Sequence, residues 1–201
     1  ITRSLGAEQY GVFNYLKIFF EKFIGFFDVF TSAFYPKLSK RPGDLGIIYF
    51  TVLYDVILFI VSFFLLGLLF ISGNAETFLT VKSFAIAGSA LLLAWLFATN
   101  QKMTSFMDAL GMTITNEVVL MLMRVTLTIG LILLFIEDRL NLINFLYIQN
   151  IILVVFILVL SSFAFKYFSR SEKQNSVKNT AKEFKDYGMP LFWASAVGII
   201  A

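Results

Sequence analysis

Cysteine and histidine are both missing from this chain of 201 residues, proline occurs three times, and charged residues make up only 14%. The lack of cysteine excludes disulfides, thiol nucleophiles and thiolate metal sites, and it leaves the redox compartment unreadable. The lack of histidine removes the usual imidazole base and the commonest transition-metal ligand. The shortage of charge is equally informative, since a soluble domain carries about 25% charged residues. Apolar residues take up the difference: 59% are hydrophobic and 17% aromatic, for a mean hydropathy of +0.83.

These proportions predict an integral membrane protein, all-α, built as a polytopic transmembrane helix bundle. The apolar runs are long and continuous, where barrel strands would alternate in segments of about ten residues. Five spans are drawn at 11–35, 46–71, 79–99, 112–136 and 143–167, and a further one opens near 187. Each complete span meets the roughly 20 residues that a helix rising 1.5 Å per residue needs to cross a bilayer. The expected domains are a bundle over 1–167, a polar cytoplasmic linker over 168–186 and the start of another transmembrane helix over 187–201. The chain opens at Ile1 and stops inside an apolar run, so both ends read as cut.

Lysine and arginine set the expected orientation. Lys37, Lys40, Arg41, Lys102, Lys166, Arg170, Lys173, Lys178, Lys182 and Lys185 fall on one side, against Arg3, Lys82 and Arg139 on the other. That bias places the loops after the first, third and fifth drawn spans in the cytoplasm.

The remaining cations, Lys17, Lys22 and Arg124, lie within the spans, and so do Glu21, Asp28, Asp55 and Glu117. An ionised group at mid-helix costs roughly 2.5–3.5 kcal/mol on insertion scales, so a chain that keeps several is expected to line a wet cavity. At about 100° per residue, Tyr10, Lys17, Glu21 and Asp28 share one face of the first drawn helix, flanked by Asn14 and Ser32. Glu117 and Arg124 form a second stripe with Thr113 and Thr128, and Thr51, Asp55 and Ser62 form a third. Three helices with one wet face each predict a bundle around a polar cleft.

Each stripe also has a plainer reading. Lys17 and Glu21, at i and i+4, can neutralise one another, and Lys22 can snorkel. The 11–35 segment can lie along the interface as an amphipathic helix. Headgroups can wet Glu117, and Arg124 can be a buried partner of Asp55 or Asp28. The small residues Ala85, Ala87, Gly88, Ser89 and Ala90 read as a close helix contact. The sequence holds no phosphate-binding glycine loop, metal cluster or nucleophile with its base, so an enzyme is not expected.

One segment is more specific. The run RSLGAEQYGVFNY, Arg3 to Tyr15, places Arg3, Leu5, Gly6, Glu8, Tyr10, Gly11 and Phe13 in the pattern R-x-L-G-x-E-x-Y-G-x-F. In this the chain resembles polysaccharide flippases, the O-antigen and teichuronic-acid type of the multidrug/oligosaccharidyl-lipid/polysaccharide exporter superfamily. In those proteins the motif fills the outer loop between the first two helices. Asp28 with the basic stretch Lys37–Arg41 looks like the end of the family's second helix. MDALGMT, Met107 to Thr113, with Arg124 beyond it, looks like the fourth-to-fifth helix region. YGMPLFWASAVG, Tyr187 to Gly198, resembles the start of the seventh. Val29 and Phe30 after Asp28, and Pro36, depart from the pattern.

The resemblance implies the N-terminal lobe of a two-lobe transporter, without its first helix and most of its second lobe, in a bacterial plasma membrane. The implied function is alternating-access export of a polyprenyl-diphosphate-linked oligosaccharide for cell-surface polysaccharide synthesis. The implied partners are that anionic lipid-linked glycan, membrane lipids and other polysaccharide assembly proteins, with no nucleic acid. No cofactor is expected beyond a coupling Na+ or H+. Lys17 and Arg124 suit the diphosphate, because charge-assisted contacts to phosphate are strong. Glu21, Asp28 and Asp55 are expected to bind a coupling cation, contact sugar hydroxyls or hold the cations in place. Glu117 completes the expected cavity set. The competing expectations are a cation-coupled multidrug exporter of the same superfamily, a membrane-embedded glycan polymerase or ligase, and a scaffold with internal salt bridges.

Overall fold

The computed structural model describes residues 5–31, 34–41, 44–168 and 177–200, and all its regular structure is helical among those residues. The helices are α1 (Ala7–Asp28), a single 3-10 turn (Val29–Thr31), α2 (Phe34–Lys40), α3 (Leu45–Ile71), α4 (Ala75–Leu79), α5 (Phe84–Ala109), α6 (Thr113–Ile136), α7 (Leu142–Phe168) and α8 (Val177–Ile200). Four of them, α3, α5, α6 and α7 up to Ala164, are long and apolar enough to cross a membrane. Among the described residues the protein is all-helical, and these four helices mark it as a membrane protein. The drawn 11–35 segment is not one continuous helix: α1 ends at Asp28 and is followed by the 3-10 turn and α2.

Local chemistry sets the helix starts. Gly6 precedes α1 with φ +80°, a backbone that a side chain would strain, and Glu8 in the first turn complements the helix dipole. Asp44 caps α3 by accepting from Gly46 N at 3.0 Å, and the Ser83 hydroxyl accepts from Ile86 N at the start of α5. The first turn of α7 is capped by Asn141, whose Oδ1 accepts from Asn144 N at 2.9 Å, and a distant helix adds a second acceptor: Leu142 N donates to Gln9 Oε1 at 3.1 Å. Gln9 thus ties the motif segment to α7.

The central element is α5, packed against α1, α3 and α7. Its small residues Ala87, Gly88, Ser89 and Ala90 are buried, and Asn150 of α7 donates to Ser89 O at 3.0 Å. These four form a close helix contact, as the sequence implied, whereas Ala85 of the same run is exposed. Leu16, Phe20 and Ile24 of α1 join Leu91, Leu93 and Ala94 of α5 and Leu146 and Leu153 of α7 in one core. By contrast, α6 is the least buried of the four long apolar helices, and Asn116 and Val119 are its buried residues.

A second, smaller core holds α8 in place. Phe184 is fully buried beside Phe34, Leu38, Ile47 and Phe106. Higher on α8, Phe192 rings contact Phe26 and Phe30 at 4.9 and 5.2 Å. Gly188 lies so close to the 3-10 turn that an added Cβ would sit 2.9 Å from Phe30 Cα.

Candidate functional site: a charge triad between membrane helices

Three elements converge on one cation. Lys102 Nζ of α5 lies 2.5 Å from Asp28 Oδ1, at the end of α1, and 2.5 Å from Asp55 Oδ1 of α3. The side chains are 13% (Lys102), 27% (Asp28) and 10% (Asp55) exposed, so the triad is largely withdrawn from the surface. Two carboxylates against one ammonium leave one net negative charge.

Neighbours fix the geometry. The single Thr31 hydroxyl proton can be taken by Asp28 Oδ1 or by Asp28 O at 3.0 Å, so the hydroxyl sits over the carboxylate at the 3-10 turn. Trp95 Nε1 donates to Asp55 O at 3.0 Å, and Tyr54 hydroxyl donates to Phe27 O at 2.6 Å. These side-chain bonds cross from α5 to α3 and from α3 to α1 beside the two acids, so they tie together the helices that carry them.

Space opens on both sides of Lys102. A cavity of about 350 Å³ is lined by Asp28, Thr31, Tyr35, Gln101, Lys102 and Ser105, among others. Another, of about 470 Å³, is lined by Thr51, Asp55, Thr99 and Lys102 with several apolar side chains. A third and larger one, about 650 Å³, lies between α5, α6 and α7, where Asn100, Gln101, Thr104, Ser105, Arg124 and Gln149 supply its polar wall. Gln101 and Ser105 line both this cavity and the one beside Asp28.

The structure brings Asp28 and Asp55 together, and the other expected residues lie elsewhere. Arg124 does not pair with either acid, because Lys102 takes both. It is exposed on α6 and lines the cavity between α5, α6 and α7, with no ion-pair partner among the described residues. Glu117 is also exposed. Lys17 and Glu21 approach each other at 3.9 Å, with side chains 37% and 40% exposed, and Lys17 Nζ stands 5.6 Å from the Phe97 ring centroid. Of the motif residues, Gly6 and Glu8 start α1, Tyr10 contacts Phe13 at 6.4 Å between ring centroids, and Gly11 is exposed. Arg3, Ser32 and residues 169–176 of the drawn linker lie outside the described residues, and its remainder from Val177 on is helical, as part of α8.

Lys102 is the residue that sequence reasoning misplaced. It was counted with the loop cations after a span ending at 99, yet α5 continues to Ala109. The polar run Thr99-Asn100-Gln101-Lys102 lowers the hydropathy without breaking the helix. A 26-residue helix is about 39 Å long, longer than the hydrocarbon layer of about 30 Å.

At one end of the bundle a separate ion cluster clamps α8. Glu183 Oε2 accepts from Lys37 Nζ at 2.9 Å and from an Arg41 guanidinium nitrogen at 2.6 Å, and Arg41 also lies 3.5 Å from Asp44. The hydrogen bonds from Arg41 and Lys37 hold the Glu183 carboxyl below its ordinary value of 4.5. Compared with protein-family models, with curated proteins and with solved structures, the chain matches none.

Proposed function

We propose that the chain is part of a membrane flippase, the N-terminal lobe of a two-lobe transporter of the multidrug/oligosaccharidyl-lipid/polysaccharide type. Its cargo is a polyprenyl-diphosphate-linked oligosaccharide that crosses a bacterial plasma membrane by alternating access. The observation that carries the reading is the Asp28–Lys102–Asp55 triad, set among apolar helices with a cavity on each side. Ionisable groups inside apolar spans are expensive and mark pathways for polar cargo or ions. The anionic head of that cargo needs a cation on its path, which Arg124 supplies, while the net-negative triad does not attract it.

The sign of the charge favours this cargo over that of a multidrug exporter. A carrier of cationic drugs needs an acid-dominated cavity, whereas the cavity between α5, α6 and α7 carries Arg124 with no acidic partner among the described residues. A guanidinium suits a diphosphate because its planar fork can make two parallel hydrogen bonds. The surplus negative charge of the triad suits a coupling Na+ or H+. Other polysaccharide assembly proteins are the natural partners of such a carrier.

The test is translocation of a labelled lipid-linked sugar in liposomes holding the full-length protein. Arg124→Ala should abolish translocation while membrane insertion stays normal. Translocation at the wild-type rate would remove the phosphate-clamp role.

A further inference from the structure

We infer that the cavity between α3, α5 and α7 binds a lipophilic primary amine, with its ammonium on Asp55 and its chain along the apolar wall. This goes beyond the flippase reading: the site shares no residue with the Arg124 cavity, and its ligand is not the cargo.

The packing leaves a side opening there. Helices α3 and α7 both pack on α5 but not closely on one another. Between them lies a chamber of about 470 Å³, within the roughly 300–1,000 Å³ range of small-molecule sites. Tyr49 and Val52, 60% and 55% exposed, stand at its mouth, on the face of α3 that also exposes Val56 and Ile60. An exposed apolar face on a membrane-spanning helix is covered by acyl chains, so the chamber is entered from lipid.

Inside, wall and floor differ in kind. Leu45, Ile48, Met103 and Phe106 supply an apolar wall, and Asp55 and Lys102 meet at the floor with Thr51 and Thr99 beside them. The two threonine hydroxyls donate to Ile47 O and Trp95 O, which leaves their oxygens as acceptors. Asp55 gives Oδ1 to Lys102. Its Oδ2, unlike the sealed amide oxygens of Asn100, Asn116 and Asn150, is open to the cavity that Asp55 lines. The floor therefore asks for a hydrogen-bond donor.

Charge makes that donor a cation. Lys102 serves two carboxylates, so one negative charge is left uncompensated among apolar side chains. Asp28 borders the neighbouring cavity and not this one. An arriving ammonium can take Asp55 while Lys102 stays on Asp28, and two acids then hold two cations. An alcohol would leave the charge uncompensated, a carboxylate would add to it, and a quaternary ammonium would bring no N–H to the acceptors.

The probe is radiolabelled dodecylamine, read as saturable binding to the protein in phosphatidylcholine nanodiscs above that of empty nanodiscs. Unlabelled dodecylamine should displace the label at least about tenfold better than dodecanol, the size of one hydrogen bond to a charged group. Dodecanoate should not compete, and butylamine should compete weakly, because it leaves the apolar wall uncovered. Asp55→Asn should weaken binding about tenfold or more. Asp28→Asn should weaken it similarly although Asp28 does not touch the cavity, since Lys102 then has only Asp55 to pair with; this variant also decides the matter if Asp55→Asn fails to fold. Val52→Trp should lower binding by filling the mouth.

No saturable binding overturns the inference, and so does binding unchanged in both aspartate variants. Dodecanol competing as well as dodecylamine overturns it too, and makes the chamber a seat for an acyl chain alone. Amine binding without translocation of a lipid-linked sugar keeps this site and rejects the flippase reading, whereas translocation without amine binding does the reverse.

Discussion

Lys102 and Asp55 are 47 residues apart in sequence, yet they meet with Nζ 2.5 Å from Oδ1, and the same ammonium reaches Asp28. Removing one partner of a buried ion pair costs about 3–5 kcal/mol, because the remaining charge stays buried without compensation. Lys102→Met should therefore be the most destabilising single change in the triad, since it leaves two carboxylates facing each other. Asp28→Asn should be mildest, because Asp28 is the most exposed member and Lys102 then keeps Asp55. Adding Asp55→Asn to Lys102→Met should recover part of the loss. Thermal unfolding in detergent gives the order, and a Lys102→Met protein as stable as Asp28→Asn would reject the triad as an energetic unit.

How much of this was legible in the sequence depends on what each residue does. Asp28 and Asp55 stood out because a lone carboxylate in an apolar run is visible without a structure. Their partner did not, since Lys102 follows three polar residues and its hydropathy reads as loop. Only the continuation of α5, a matter of backbone hydrogen bonding rather than polarity, places it inside the bundle. The stripe Thr51, Asp55, Ser62 is buried as one inward face of α3, because helical period alone determines that alignment. The period of α6 was equally readable, but not what covers it, and Glu117 and Arg124 are exposed. The cap that Gln9 gives α7 left no trace in the sequence, since nothing local links residues 9 and 142.

Gly188 gives a steric test of how α8 is held. Alanine at this position would raise helix propensity by about 0.8–1 kcal/mol. Its Cβ, however, would sit 2.9 Å from the Phe30 backbone, which cannot yield as a side-chain tip can. Overpacking of this kind costs about 1–3 kcal/mol, so Gly188→Ala should be net destabilising and should shift α8 away from the 3-10 turn. The cysteine-free chain allows spin labels at Ser39→Cys and Asn179→Cys without background. A longer or broader distance distribution in Gly188→Ala is expected, and an unchanged one would show that the contact is slack.

The Glu183 clamp should respond to acid. Its carboxyl is held below 4.5, first by the hydrogen bond from Arg41 and then by that from Lys37. A lowered folded-state value means that its stabilisation is complete above the ordinary glutamate range and is lost as pH falls through the folded value. Glu183 is 41% exposed and Arg41 36%, so screening limits the effect to roughly the 0.2–1 kcal/mol of surface pairs. The same pair of labels should report a stable distance from neutral pH down to about 5 and a loosening below about 4.5. Glu183→Gln should be loosened at neutral pH and show no further change in this range, and high salt should imitate it. A transition in the variant identical to that of the wild type would assign the acid response to another group.

Lys17 and Arg124 both entered as cations for a diphosphate, and their surroundings now separate them. Lys17 has Glu21 at 3.9 Å and an aromatic ring beside it, whereas Arg124 has no ion-pair partner among the described residues and lines the α5–α6–α7 cavity. A cation already neutralised by a neighbour gains less from an arriving phosphate than one that is not, because the existing attraction must be given up. An exposed i, i+4 pair is worth about 0.3–0.5 kcal/mol, so Lys17→Met should leave stability nearly unchanged and reduce glycan export only modestly. Arg124→Gln should remove most export at unchanged protein level, and Arg124→Lys should restore part of it, since the charge returns without the two-pronged geometry. Export measured in cells at matched expression decides. If Lys17→Met is the more damaging change, the cargo's anionic group passes along α1, and the site must be moved from the α5–α6–α7 cavity to the face shared by Lys17, Glu21 and Phe97.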